Sequence, residues 1–275
     1  MQALRHFLLA VQFFSRIPVA GRLAAWVGWS PEMQRASAVH LPGVGWLVGL
    51  WAALLVALTH WLLVYTPWTP LLMAVISTVG TLWLTGGFHE DGLADVADGL
   101  GGFVPPERAL EIMKDLRLGS YGVMTLVMTL LTKVALIVAL ATALKPLWAP
   151  LPLMALLLSA HVLSRFTPLV LMHCLPYVGL EASSKTLNIT KQPLGWRGLM
   201  TGALWCLPVL PMLWWLGGGL LIAKVLVACS ITTWLLLCWF RKRLGGFTGD
   251  CLGACQQINE LAVLLAAAFA LHQIV

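Results

Sequence analysis

Thr85-Gly-Gly-Phe-His-Glu-Asp-Gly-Leu-Ala-Asp-Val-Ala-Asp-Gly-Leu100 is the stretch whose reading decides the fold. The sequence on either side of it is apolar enough for a bilayer. Of the 11 acidic residues in the chain, seven lie between Glu90 and Asp115. Read as a helix, the stretch sets Asp91, Asp95 and Asp98 at i, i+4 and i+7, on one face. Three carboxylates on one face repel each other and call for a cation. Oxygen ligands of this kind suit Mg²⁺, with phosphate oxygens and waters completing its shell. The plain alternative is a solvated acidic loop. Glycines at 86, 87, 92, 99, 101 and 102 argue against it. They flank the carboxylates where backbone turns tightly or approaches something closely.

Composition fixes the class. The 275 residues are 60% hydrophobic and 10% charged, with a mean hydropathy of +0.88. A soluble domain of this size does not have that balance. The expected fold is all-α: a polytopic helical bundle of about seven spans, each near the ~20 residues a bilayer requires. An N-terminal interfacial helix and a charged helix outside the bilayer complete it, and residues 1–275 form a single membrane-embedded catalytic domain. The cysteines at 174, 206, 229, 238, 251 and 255 lie mostly in apolar runs and form no disulfide framework. Cys251 and Cys255 lack further Cys or His partners for a zinc set and are read as packing. The net charge of +6 comes from loop Lys and Arg. No basic surface interleaved with aromatics accompanies it, which excludes a nucleic-acid reading. No cleavable signal is recognisable at the start.

In chain order, residues 1–16 place apolar side chains near helical spacing but are too short to span, so they are assigned to the interface. The first span is expected over His40–Val64 and the second over Thr69–Gly87. The chain then leaves the membrane from Phe88 to Gly119. Pro105-Pro-Glu-Arg108 reads as a helix start, and Glu111–Arg117 as a charged helix stopped at Gly119. Further spans are expected over Ser120–Leu144, after which Lys145-Pro turns the chain, and over Leu147–Met172. A polar loop, 173–198, holds Glu181, Lys185, Asn188, Lys191, Gln192 and Arg197. Spans over Leu199–Leu216 and Leu220–Phe240 are joined by Gly217-Gly-Gly219, and the last runs over Leu252–Ile274. Trp68, Trp148, Trp196 and Trp239 lie near span ends, as interface anchors do. Within the spans, Lys133, His161, Arg165, Lys224 and Glu260 are ionisable. Lys224 is expected to snorkel outward. Arg165 and Glu260 are placed to pair, and in a membrane such residues carry a functional prior.

The motifs are long enough to carry a resemblance. Gly86-Gly-Phe-His-Glu-Asp-Gly-Leu-Ala-Asp95-x-x-Asp98-Gly comes first. Glu111-Ile-Met-Lys-Asp-x-Arg-Leu-Gly119 and Leu244-Gly-Gly-x-Thr-Gly-Asp250 follow it. Together they resemble the cobalamin synthase, or adenosylcobinamide-GDP ribazoletransferase, family. Phe13-x-x-Arg16-x-Pro18 resembles that family's N-terminus, so the likeness covers nearly the whole chain. Glu90 departs from it, standing where an apolar residue is frequent, and is the weakest ligand candidate of the cluster.

The resemblance implies that α-ribazole, or its 5′-phosphate, attacks the cobinamide-bearing phosphate of adenosylcobinamide-GDP. GMP leaves and adenosylcobalamin or its 5′-phosphate forms. It also implies Mg²⁺. Displacement at a diphosphate needs charge neutralisation on bridging and leaving oxygens and an aligned hydroxyl. Asp91, Asp95 and Asp98 are the expected metal ligands. His89 is either a base or a hydrogen-bond partner of a carboxylate. Lys114 and Arg117 are candidate catalytic phosphate contacts, or else solvated helix charges. Arg16, Arg165, Arg243 and Thr248 are the candidate substrate-binding residues, with an anchoring role the alternative for Arg243 and a helix cap for Thr248. The Gly-Gly-Phe-x-x-Asp pattern occurs at 86–91 and again at 245–250, which predicts that Asp250 converges on the cluster as a further ligand. The expected partners are the two small-molecule substrates and the lipid bilayer, with an oligomer compatible with the sequence.

Other classes fit less well. A CDP-alcohol phosphotransferase carries an Arg after its Asp-Gly pair that Asp91-Gly-Leu-Ala-Asp95 lacks; an aspartate-rich prenyltransferase is the related alternative. A divalent-cation transporter sets carboxylates near the bilayer midplane, whereas here Glu260 alone is expected inside a span.

Charge asymmetry orients the chain. The N-terminal segment and loops 88–119, 173–198 and 241–250 hold 4, 3, 3 and 3 Lys or Arg, against Lys145 on the other side. By the positive-inside rule those segments are cytoplasmic, and the protein is expected in the bacterial inner membrane with its acidic stretch facing the cytoplasm. An alkaline phosphatase fused after Val275 is expected to be active. Activity of a cytoplasm-restricted reporter at the same position would contradict this orientation.

Overall fold

The computed structural model describes residues 1–63, 66–144, 150–179 and 193–271. The Lys145-Pro turn, Trp148, the loop residues Glu181, Lys185, Asn188, Lys191 and Gln192, and the last span beyond Leu271 lie outside the described residues. The described chain is helical: α1 (Gln2–Phe14), α2 (Gly21–Val27), α3 (Pro31–Ser37), α4 (Leu41–Leu62), α5 (Thr69–Thr85), α6 (Phe88–Gly101) and α7 (Pro106–Ile112). Then follow α8 (Ser120–Ala143), α9 (Leu151–Ser164), α10 (Thr167–Cys174), α11 (Trp196–Cys206), α12 (Val209–Leu244) and α13 (Gly249–Leu271). An isolated bridge pairs Tyr177 with Phe247.

Among the described residues, five segments are long and apolar enough to cross a bilayer, and the pair α5–α6 makes a sixth if it is taken as one bent span. The expected count of seven is not reached on that measure. Helix α11 has 11 residues, short of the ~20 that cross alone. Helix α12 is 36 residues long but loses helical geometry at Gly217 and Gly218, where the sequence predicts a connection. The expected fourth span is present as Leu151–Cys174, with an interruption inside it. It divides at Arg165 and Phe166 into α9 and α10, since Pro168 in the first turn of α10 donates no hydrogen bond.

Burial separates inner from outer helices. The apolar window of α8 is 17% buried, whereas that of α9–α10 is 78% buried, so α8 turns most of its surface to lipid and α9 fills the centre. Helices α4 and α9 pack closely because α4 offers glycine. A Cβ at Gly45 would lie 2.6 Å from the His161 carbonyl oxygen, and one at Gly49 would lie 2.8 Å from the Leu158 Cα. This small-xxx-small spacing lets two backbones meet where no hydrophobic drive joins helices in lipid.

After α5 the chain stays packed against the other helices. Helix α6 bends 89° from α5 and packs against α13 and α8. Gly86 and Gly87 make the corner in left-handed conformation, at φ of 71° and 70°, which glycine adopts without a Cβ penalty. The charged helix is also shorter than expected. It stops at Ile112; Met113 and Lys114 form a turn, and residues 115–119 are irregular. Asp115 accounts for the stop: its Oδ1 accepts from the Arg117 backbone N–H at 3.0 Å, competing with continued helix.

Inside the bundle, Glu260 pairs with Lys133 and lies 3.3 Å from His161 Nδ1. The expected Arg165–Glu260 pair does not form. Arg165 Nη1 instead donates to the His161 carbonyl at 3.0 Å, one turn back on its own helix. Lys224 Nζ donates to the Phe269 carbonyl at 3.4 Å. Cys251 and Cys255 are buried and free, as packing residues are.

Replacing Gly45 by Val is expected to cost about 1–3 kcal/mol, the usual range for forcing atoms into a close-packed contact. The thermal transition of detergent-solubilised protein should fall clearly, while Leu50→Val, on the 53% exposed lipid-facing side of the same helix, should leave it near wild type.

Candidate functional site

The acidic stretch is helical as its spacing predicts, with Asp91, Asp95 and Asp98 on α6. Asp250 stands in the first turn of α13, and α6 and α13 touch through glycine. A Cβ on Gly92 would lie 2.9 Å from the Asp250 carbonyl oxygen and 3.0 Å from its Cα. One on Gly253 would lie 3.0 Å from the His89 carbonyl oxygen. The expected convergence of Asp250 on the α6 carboxylates is therefore present at the level of the backbone. The repeated Gly-Gly-Phe-x-x-Asp pattern produces it: Gly86 ends α5 and Gly245 ends α12, each left-handed, at φ of 71° and 75°.

The carboxylates feel one another. Burial, then Asp250, then Asp91, push the Asp95 carboxyl up to about 7, with Lys114 opposing. Lys114 Nζ lies 3.2 Å from Asp250 Oδ2, which joins the turn after α7 to the start of α13. Thr248 Oγ1 donates to the same Oδ2 at 3.3 Å and accepts from the Cys251 N–H at 3.3 Å. Thr248 is thus the cap of α13, which leaves the Asp250 carboxylate directed to its neighbours.

Asp98 differs from the others. Its two oxygens accept from the backbone N–H groups of Gly119 at 2.7 Å and Gly122 at 2.8 Å, so it fills the donor-rich start of α8.

The remaining candidates are dispersed. Arg117 is engaged by Asp115 at 2.7 Å and points away; its guanidinium holds the Asp115 carboxyl down at about 2. Arg243 donates to the carbonyls of Leu100 at 3.0 Å and Gly102 at 2.7 Å, clamping the C-terminal end of α6. Arg165 is 2% exposed in the bundle interior, away from the open face. Arg16 lies against Gly86 at the corner before α6. His89 is buried beneath the carboxylates, with both ring nitrogens unpartnered among the described residues. It lines an apolar cavity of about 20 Å³ with Phe14, Leu41, Met172 and Leu252. Glu90 also turns inward, accepting from Gln257 Nε2 at 2.9 Å. The sequence reading missed this link and the Lys114–Asp250 pair; no spacing signal connects residues 136 positions apart.

The donor set is carboxylate oxygen throughout. Among the described residues, no group of three or more His, Cys, Asp or Glu could hold a metal ion, so the expected ligand set Asp91, Asp95, Asp98 and Asp250 does not assemble, and both Asp98 oxygens are taken by backbone N–H groups. One or two carboxylates are still a fitting donor set for a hard cation such as Mg²⁺, whose shell waters and substrate phosphates complete.

Comparison with known proteins agrees with the motifs. The family model described as cobalamin-5-phosphate synthase matches residues 6–268. An adenosylcobinamide-GDP ribazoletransferase of Polaromonas sp. (strain JS666) is 50% identical, over 98% of this chain and 98% of its own. Those of Leptothrix cholodnii and Vibrio cholerae are 42% and 40% identical, over 95% and 98% of this chain and 94% and 95% of their own. No solved structure matches.

Asp98→Ala is expected to lower the thermal transition more than Asp91→Ala. It strands two N–H groups at the start of α8, a loss of about 1–2 kcal/mol for a cap of this kind. Thermal unfolding in detergent compares the two; equal melting would remove the capping role.

Proposed function

The chain belongs to the cobalamin-5-phosphate synthase family, a family of transferases in cobalamin biosynthesis, and we propose that its carboxylate site works with Mg²⁺ on adenosylcobinamide-GDP. A hydroxyl of α-ribazole, or of its 5′-phosphate, attacks the phosphorus that carries cobinamide. A new P–O bond forms, the bond to the GMP phosphate breaks, and adenosylcobalamin or its 5′-phosphate leaves with GMP as the other product.

The convergence of Asp250 with the α6 carboxylates carries this reading. One or two of Asp91, Asp95 and Asp250 would hold the cation, with waters and the substrate diphosphate completing its shell. Bound there, Mg²⁺ supplies charge neutralisation on the diphosphate oxygens, the main demand of such a displacement. Lys114 is the cation of the chain placed to meet the diphosphate. Asp98 contributes by fixing the C-terminal end of α6 against α8, and Arg243 by binding the carbonyls at that same end. The buried position of His89 favours a role in seating α6 over proton transfer at the open face.

We place the site at the cytoplasmic side of the inner membrane. The positive-inside asymmetry supports this, as do the cations beside α6 and the start of α13: Arg16 at Gly86, Lys114 at Asp250 and Arg243 at the end of α6.

Purified protein incubated with adenosylcobinamide-GDP, α-ribazole and Mg²⁺ is expected to release GMP. Asp95→Asn should lower that rate by ~10² or more, the scale seen when one preorganised electrostatic contact is lost. Wild-type protein that releases no GMP overturns the reaction. Near-normal turnover by Asp95→Asn at limiting Mg²⁺ overturns the metal assignment.

A further inference from the structure

The cations around the carboxylates are mostly held elsewhere. Arg108 is held by Glu111, Arg117 by Asp115, and Arg243 by the carbonyls that end α6. Lys114 differs from them. Its ammonium lies 3.2 Å from Asp250 Oδ2, with the two side chains 29% and 18% exposed. It sits just past the end of α7, on turns rather than in a helix. Its flexible four-carbon stem lets the ammonium swing without moving the backbone.

The pair creates a conflict. Asp250 Oδ2 already accepts from Lys114 and from the Thr248 hydroxyl. A dication brought to that carboxylate would face the ammonium at a few ångströms, where like charges repel even through the screening at a protein surface. The ammonium and the dication therefore compete for Asp250. A diphosphate arriving with the metal offers the displaced ammonium a new anionic partner.

We propose that Lys114 is the resident counter-cation of the site: it holds Asp250 in the metal-free protein and passes to the substrate diphosphate when a divalent cation takes its place. The inference rests on the metal reading above. It makes Lys114 a positioning residue for the metal as well as a phosphate contact. It also gives the two binding steps opposite signs, which a merely structural lysine would not.

The test uses the purified full chain in detergent and two probes. The first is Mn²⁺ alone, followed by loss of its free-ion paramagnetic resonance signal. The second is GDP at saturating Mn²⁺. Lys114→Met and Lys114→Gln are expected to tighten Mn²⁺ binding roughly tenfold and weaken GDP binding roughly tenfold, as removal of one partly exposed charge implies. Lys114→Arg should behave as wild type. If both neutral variants bind Mn²⁺ no tighter than wild type, the competition is overturned. Equal Mn²⁺ binding by wild type and Asp95→Asn overturns the metal reading itself, and the proposal with it.

Discussion

The close crossing of α6 and α13 is the contact on which the rest of the site depends. Two glycines make it possible. Gly92 leaves room for the Asp250 backbone, and Gly253 leaves room for the backbone of His89. Any side chain at either position would drive the helices apart by about its own thickness. The carboxylates of α6 and α13 would then no longer share one field, and Lys114 would have no Asp250 to meet. Charge density here is a consequence of backbone proximity, and backbone proximity is a consequence of two missing side chains.

A second constraint works from below. Gln257 joins Glu90 of α6 to Gln256, and Gln256 donates to Glu260, which also holds Lys133. Charged groups in a bilayer interior are expensive unless paired, and here two acids and two bases, Glu90 and Glu260 with Lys133 and Arg165, lie in one polar layer linked by amides. The layer binds α6 to α8, α9 and α13, so the open carboxylate face of α6 rests on a buried polar floor. Arg243 and Asp98 secure the other end of the same helix.

Much of this was legible in the sequence. The long apolar runs placed α4, α5 and α8 to within about two residues at each end, because lipid sets a length that composition must meet. The i, i+4, i+7 aspartates marked the face of α6, and the repeated Gly-Gly-Phe-x-x-Asp brought Asp250 to it. What stayed hidden depends on neighbours far along the chain. Nothing local distinguishes Asp98, which caps α8, from Asp91 and Asp95. Nothing local tells Arg243 to bind carbonyls of α6, or Glu260 to choose Lys133 over Arg165. The break after Ser164 had a local signal in Pro168, but the surrounding hydropathy ran through it.

The link between Glu90 and Gln257 spans 167 residues, and that separation has a consequence for biosynthesis. Chains grow at ~5–20 residues per second, so the amide emerges roughly 10–30 s after the carboxylate it will satisfy. Until then α6 has neither its floor nor its glycine-lined neighbour. A nascent chain therefore carries Glu90 without its amide partner through most of synthesis: α6 can meet α8 early, but its contact with α13 forms only once residues 249–271 have been made.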